Sequence, residues 1–282
     1  MLNNKNATIF VPDGADKEIA LSRTTHLAIS AHQDDIELMA PQGVLECFGS
    51  REKYFTGVVT ADGAGSPRNG LYANYTDEEM KAVRILEQQK AAYVGEYSCQ
   101  LQLGYTSSQI KNPDFDPIVD EYVEILKATR PDVVFTHNLA DKHDTHMGVV
   151  TKVIKAIRRL TKSERPSKLY GGEVWRDLDW MLDSDKVVFD TSLHPNITAG
   201  IMSVFDSQIC GGKRYDLASE GRRIANATYF ASHGCDTAQS LNYCMDLTPL
   251  IDDDSMGVTD YVTTFIDRFK NDVVERIKKV SK

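Results

Sequence analysis

The chain has 282 residues, 41% hydrophobic and 26% charged, with a formal net charge of −9. Such a composition is ordinary for a globular protein, and the length suits one α/β domain with a full core. An acidic chain without clustered Lys and Arg disfavours sequence-independent nucleic-acid binding, and no apolar run is long enough to predict a membrane span.

Residues 1–25 are polar and mixed, and read as an N-terminal extension that packs on the domain outside its central sheet. The apolar run His26-Leu27-Ala28-Ile29-Ser30 predicts a first strand over 26–31, which runs into Ala31-His32-Gln33-Asp34-Asp35. A helix is expected over 35–48, weakened by Pro41 and Gly43. A second strand is expected at 54–61. It empties into a glycine-rich loop, 62–70, whose Gly63, Gly65 and Gly70 do not form a dinucleotide fingerprint and which reads as a mobile rim over a site. Asp77 is expected to cap a helix over 78–94, with Gly95 as its stop.

Residues 99–103 predict a third strand, and Asp116-Pro117 opens a helix that Pro131 ends. The strand 132–137 leads to His143-Asp144-Thr145-His146 and a helix over 145–160. Strands are expected at 169–175 and 186–189, and helices at 195–209 and 213–230. Over 259–280, Val262, Phe265, Ile266, Phe269, Val273 and Ile277 fall at three- and four-residue steps, the mark of an amphipathic helix. Alternating strands and helices argue for an α/β fold, a three-layer α/β/α Rossmann-like domain with a mainly parallel sheet. No linker or repeat divides residues 1–282, so a single domain is expected. The acidic run 252–254 reads as a solvated turn. Five widely spaced cysteines without a C-x-x-C pair suggest reduced thiols in a cytoplasmic protein. No basic, then apolar, leader pattern opens the chain.

Two strands that each run into a His-rich turn suggest one site at the carboxyl edge of the sheet. Taken singly, each turn also fits a helix cap or a surface pair. Read together, His32, Asp35 and His146 form a two-His, one-carboxylate set suited to Zn2+, with Fe2+ as an alternative. Asp34 is then the remaining carboxylate, free to act as general base. His143 shares a helix face with His146, and either stabilises a developing oxyanion or protonates a leaving amine.

These motifs resemble the PIG-L/LmbE family of zinc-dependent N-deacetylases. The family's Pro/Ala-His-Pro-Asp-Asp stands here as Ala31-His32-Gln33-Asp34-Asp35, and its His-x-x-His as His143–His146. The loop Thr60-Ala61-Asp62-Gly63-Ala64-Gly65, the helix motif Arg84-Ile85-Leu86-Glu87 with Ala91-Ala92 and Gly95, and Ser207-Gln208 extend the likeness over residues 24–210. The resemblance implies a Rossmann-like fold with zinc on His32, Asp35 and His146. It also implies Asp34 as base and His143 as oxyanion stabiliser or acid. Arg84 would contact substrate; its alternative is an i,i+3 ion pair with Glu87.

Two departures stand out. Gln33 replaces a proline and is expected to loosen the turn. The acid that accompanies the second motif in relatives is displaced, and its task is lost or moved to Asp141. Residues 211–282 carry no family motif, and His233 reads as structural. Tyr72, Tyr75, Trp175 and Trp180 fit either a sugar platform or core.

The expected activity is removal of an N-acetyl group from an amino-sugar small molecule. The alternatives are hydrolysis of a non-sugar amide or ester, or a silent sugar-binding protein. A homo-oligomer stays open.

Overall fold

The computed structural model describes residues 2–281. Among them, eight strands form one sheet: β1 (Thr8–Phe10), β2 (His26–Ser30), β3 (Phe55–Ala61), β4 (Cys99–Tyr105), β5 (Val133–His137), β6 (Lys168–Gly172), β7 (Lys186–Asp190) and β8 (Leu241–Asp246). Their order is β1-β4-β3-β2-β5-β6-β8-β7. The central five, β4-β3-β2-β5-β6, are parallel, while β1–β4, β6–β8 and β7–β8 pair antiparallel.

β2 and β3 are buried along their whole lengths, as parallel strands covered on both faces must be. The pleat divides their side chains. Leu27, Ile29 and Val58 join one core with the helices Pro117–Thr129 and Asp144–Arg158. Ala28, Val59 and Phe55 join the other with the helices Pro41–Cys47 and Pro195–Ser203. The expected three-layer α/β architecture is present.

β2 lies between β3 and β5, so the chain leaves its two sides in opposite directions. The crevice at the carboxyl ends of β2 and β5 is therefore the topological switch point, where open α/β sheets collect ligands. Residues 31–35 follow β2 directly, and residues 138–146 follow β5.

Several sequence expectations need correction. The N-terminal extension does join the sheet: Thr8–Phe10 pairs with Gln100–Gln102 of β4 as an edge strand. Three residues are too short to announce a strand by alternation. The helix expected over 35–48 is two helices, Asp35–Met39 and Pro41–Cys47. Pro41 cannot donate to the preceding turn and starts the second helix instead. Gly43 there is needed for close packing, because a Cβ would stand 2.6 Å from a ring carbon of Phe135. The helix Asp77–Val94 is capped by Thr76, not Asp77, in a reciprocal box with Glu79. β6 ends at Gly172, short of the expected 175, which frees Trp175 from the sheet. The helix expected over 195–209 is also divided, into Pro195–Ser203 and Asp206–Ile209.

β8 was not foreseen. Its sequence, Leu-Asn-Tyr-Cys-Met-Asp, is buried over its first five residues, yet Asn242 breaks the apolar pattern. The burial is tolerated because Asn242 donates to Met39 O and Gln42 Oε1. All five cysteines are free, with Cys210 and Cys235 exposed. No helix among the described residues is long and apolar enough to cross a membrane.

Candidate metal centre and active site

β2 ends at Ser30, and the next four residues turn sharply into the helix Asp35–Met39. Asp34 takes a left-handed conformation, φ 81°. This costs a non-glycine residue about 1–3 kcal/mol, so surrounding contacts must impose it. Gln88 Oε1 accepts the Asp34 N–H at 3.1 Å, and Asp34 O accepts the Leu38 N–H. The unusual φ lets two adjacent aspartates serve different partners. Asp35 reaches the histidines, and Asp34 meets Arg84 at 2.7 Å.

Three donor atoms from two strand ends converge. His32 Nδ1 lies 3.2 Å from Asp35 Oδ2 and 3.2 Å from His146 Nε2, and His146 Nε2 lies 3.3 Å from Asp35 Oδ2. Tetrahedral ligands at zinc bond lengths stand about 3.3 Å apart, so the donor set fits a divalent cation. Asp141 Oδ2 accepts from His146 Nδ1 at 3.2 Å, which fixes that tautomer and leaves Nε2 as a lone-pair donor. Asp141, one of the two possibilities weighed for the displaced acid's task, is the carboxylate that stands on His146. The structure brings His32, Asp35 and His146 together as the sequence reading placed them.

The charges follow from burial and neighbours. Burial alone would raise Asp35, but His146 and His32 hold its carboxyl well below the usual range. Burial disfavours charge on His146, yet Asp35 and Asp141 on its two nitrogens push it up to about 9. Asp34 is raised to about 6, first by burial and next by Asp35, against the pull of Arg84. A carboxylate poised near neutrality is suited to accept a proton. His143 is lowered by burial and by the charge of His146. Its Nδ1 accepts the Thr145 N–H at 3.3 Å, so the neutral ring keeps a proton on Nε2.

The family model described as PIG-L, GlcNAc-PI de-N-acetylase, matches residues 27–157, the segment that supplies every one of these groups. Residues 27–157 of the chain are thus similar to the PIG-L family. No curated protein matches the sequence. Among solved structures, the N,N′-diacetylchitobiose deacetylase of Pyrococcus horikoshii superposes with TM-score 0.62 at 13% identity, covering 84% of this chain and 88% of that one. The A40926 pseudoaglycone deacetylase Dbv21 gives 0.57 at 14%, covering 80% and 97%. GalB, the 4-carboxy-2-hydroxymuconate hydratase of Pseudomonas putida KT2440, gives 0.58 at 13%, covering 79% and 96%. At these identities the likeness is one of fold.

Around the three converging donors lies a cavity of about 500 Å³. Its lining includes His32, Asp34 and His143 on one side, and Trp175, Lys213 and Tyr215 on another. Asp62, Gly63 and Gly65 form part of the rim, as the glycine-rich loop was expected to do. Arg84 also touches the cavity but is 1% exposed, and its guanidinium is committed. It pairs with Asp34 and, at 2.8 Å, with Glu87, and donates to Gln33 O. The i,i+3 pair weighed against substrate contact is therefore present. Glu87 in turn accepts from the Ser207 N–H at 2.7 Å and the Ser207 hydroxyl at 2.8 Å, which gives the Ser-Gln motif its place.

Gln33 does not loosen the turn. It is buried, and its amide donates to Ala61 O at 3.3 Å and Gln102 Oε1 at 3.2 Å, tying the turn to β3 and β4. Of the four aromatic candidates only Trp175 lines the cavity; Tyr72 donates to Asp206 and packs on Tyr75, and Trp180 meets Phe269. His233 is exposed and outside that lining.

Sequence reasoning missed His137, at the tip of β5. Its ring stacks on His146 at 3.9 Å, and its Nε2 accepts the Ala31 N–H at 2.9 Å. Burial, then the charge of His146, hold it neutral. A histidine within a strand looks like any buried residue until the second strand end is placed beside it. Lys213 and Tyr215 were missed because they enter from a segment without motifs.

Proposed function

We propose that this protein is a metal-dependent hydrolase that removes an N-acyl group, best assayed as acetyl, from an amino sugar or its conjugate.

The carrying observation is the convergence of His32, Asp35 and His146 on one point, in a cavity that Asp34 and His143 also line. The match of residues 27–157 to the PIG-L family model and the two deacetylase neighbours of like fold support the same reading.

A divalent cation held by His32, Asp35 and His146 would supply Lewis-acid polarisation of the acyl oxygen and a more acidic water. Everything else falls to the chain. Asp34, held in place by Arg84, takes a proton from the attacking water as its oxygen adds to the amide carbon. The Nε2–H of His143 donates a hydrogen bond to the developing oxyanion, which a neutral imidazole does without an acidic pKa. The C–N bond then breaks, the proton taken by Asp34 passes to the departing nitrogen, and the acyl group leaves as a carboxylic acid that loses the second water proton to solvent, beside the free amine. The lowered His143 favours this oxyanion role over that of acid. Asp141 and His137 orient His146 and do not touch substrate.

A panel of N-acetylated amino sugars, their conjugates and simple acetamides, assayed for acetate and amine, tests the proposal. Release of both, lost on Asp34→Asn with metal retained, is the expected result. The hydratase of like fold keeps a second reading in view: addition of water across a carbon–carbon double bond. Turnover of unsaturated acids with no amide cleavage would favour it. Bound metal without turnover of any kind would favour a silent sugar-binding protein.

A further inference from the structure

A second, smaller cavity of about 190 Å³ lies beside the catalytic one. It shares Leu38, Val174, Trp175 and Tyr215 with the catalytic lining, so the two spaces adjoin along one wall. Its charged lining is Glu173, just after β6, and Arg222 and Arg223 on the helix Tyr215–Tyr229. Both arginines lie in the part of the chain that carries no family motif.

Arg223 is 5% exposed, and Arg222 is half-buried. Backbone oxygens hold them in place. Arg222 Nη1 donates to Val174 O at 2.6 Å, and Arg223 Nη2 donates to Glu37 O at 2.7 Å and Leu38 O at 3.1 Å. Most of their N–H groups stay unused, and neither guanidinium makes an ion pair among the described residues. Burial pushes Arg223 down to about 10, against the pull of Glu173, which leaves it charged at neutral pH.

The acids that could balance these cations are taken. Glu173 accepts from the Leu178 and Tyr243 N–H groups and from the Asn226 amide, and burial pushes its carboxyl up, which weakens its charge. In the adjoining cavity Asp34 pairs with Arg84, Asp35 stands among the histidines, and Asp62 meets Lys81 at 3.3 Å. Lys213, over the shared Trp175 ring, is a third cation without an ion pair among the described residues. A buried guanidinium that only tethers carbonyl groups carries a desolvation cost with no opposite charge to offset it.

We infer that the side pocket is an anion subsite, in which Arg222 and Arg223 hold a carboxylate or phosphate on the aglycone of the substrate, with Lys213 at the entrance. The inference rests on the amino-sugar reading above. With the acyl group at the three donors and the sugar along Trp175, the aglycone continues past Tyr215 into the pocket. The guanidinium fork matches either anion, and a pocket built for that group discriminates against a neutral one, which leaves the cations unpaired.

The test compares derivatives of N-acetylglucosamine that differ only at the anomeric oxygen, on the metal-loaded full chain: the methyl glycoside, the carboxymethyl glycoside and the 1-phosphate. Wild type is expected to favour an acidic derivative by about 10–100-fold in kcat/KM, the range that charge-assisted hydrogen bonds supply. Preference for the carboxymethyl glycoside assigns a carboxylate, and preference for the 1-phosphate a phosphate. Arg222→Gln, on the less buried arginine, should cut the preference to about threefold or less. The preference is a ratio within one variant, so general damage to the fold cancels. Equal kcat/KM for neutral and acidic derivatives, or a preference that survives Arg222→Gln, overturns the subsite and leaves the deacylation reading standing. If no derivative is cleaved, binding separates the two readings. Trp180→Phe leaves Trp175 as the one tryptophan, and its fluorescence reports ligands at the shared wall. Saturable quenching by an acidic derivative, weakened about 10-fold or more by Arg222→Gln, keeps the subsite while the hydrolase reading falls. Acidic and neutral derivatives that bind alike in that assay overturn the subsite.

Discussion

Residues 27–157 and the chain that follows them build the same cavity by different means. The first region supplies His32, Asp34, Asp35 and His143 to the lining, on the turns that follow two buried parallel strands, with His146 behind them. The second supplies Trp175, Gln208, Lys213 and Tyr215 from loops and short helical ends. One set is fixed by strand tips and buried hydrogen bonds. The other is half open, with Lys213 lying 5.0 Å over the Trp175 ring and Tyr215 edge-on to it at 6.1 Å. The contrast suggests a division of labour in which the rigid set carries bond-breaking and the open set carries choice of substrate.

The strongest way to test that division is to remove the base. Asp34→Asn preserves shape but accepts no proton, and should lower kcat by about 10²–10⁴-fold. Metal content, read by elemental analysis, should stay at the wild-type level, because Asp34 is not a ligand in this arrangement. Loss of metal together with activity would move Asp34 into the ligand set. Arg84→Ala, by contrast, strips a buried cation from both Asp34 and Glu87, and should cost about 3–5 kcal/mol in stability by denaturant titration.

Asp141 ranks next. It touches no substrate in this reading and acts by holding His146 Nδ1. Asp141→Ala should weaken metal affinity by about 10–100-fold, measured by chelator competition, while excess metal restores much of the turnover. A kcat that stays low at saturating metal would give Asp141 a part in the chemistry itself.

A smaller effect should appear in pH. In the metal-free protein His146 is raised from an ordinary 6.5 to about 9, with burial opposing and Asp35 and Asp141 favouring its charge. Its protonated form therefore contributes stability that is complete below the unfolded value and lost as pH rises through about 9. Metal must displace that proton, so metal affinity should climb with pH over the neutral range by up to about tenfold per unit. Thermal melts of stripped protein against pH, beside metal titrations at the same values, should run in opposite directions. Parallel trends would show that His146 is not the group that exchanges proton for metal.

What the sequence made legible follows the same divide. His32, Asp34 and Asp35 lie within four residues behind an apolar strand, so local pattern alone brings them together. His146 needed a second strand beside the first, and the alternation of strands with helices supplied that expectation. His137 stayed obscure because its role is pairwise, a ring stacked on His146, and Asp141 was legible only as one of two possibilities, since fixing a tautomer is pairwise as well. The αL turn at Asp34 was hidden as well, since nothing in His-Gln-Asp-Asp announces a positive φ outside glycine. Most obscure was the C-terminal part. β8 enters the sheet antiparallel between β6 and β7, and Asn242 within it interrupts the hydrophobic run that would have marked a strand.

The finest probe of the comparison is Trp175. Its backbone N–H donates to Asp141 Oδ2 at 3.2 Å, a contact that any residue keeps, so the side chain can be changed without disturbing the metal centre. The ring stands between His143, stacked at 6.3 Å, and Tyr215, and forms cavity wall. An aromatic platform contributes about 0.5–1.5 kcal/mol beyond its area. Trp175→Ala should therefore raise KM by roughly 2–10-fold with kcat nearly unchanged, the signature of binding shared equally by ground and transition states. A fall in kcat comparable to that of Asp34→Asn would instead make the indole part of what positions His143, and would dissolve the boundary between the two regions.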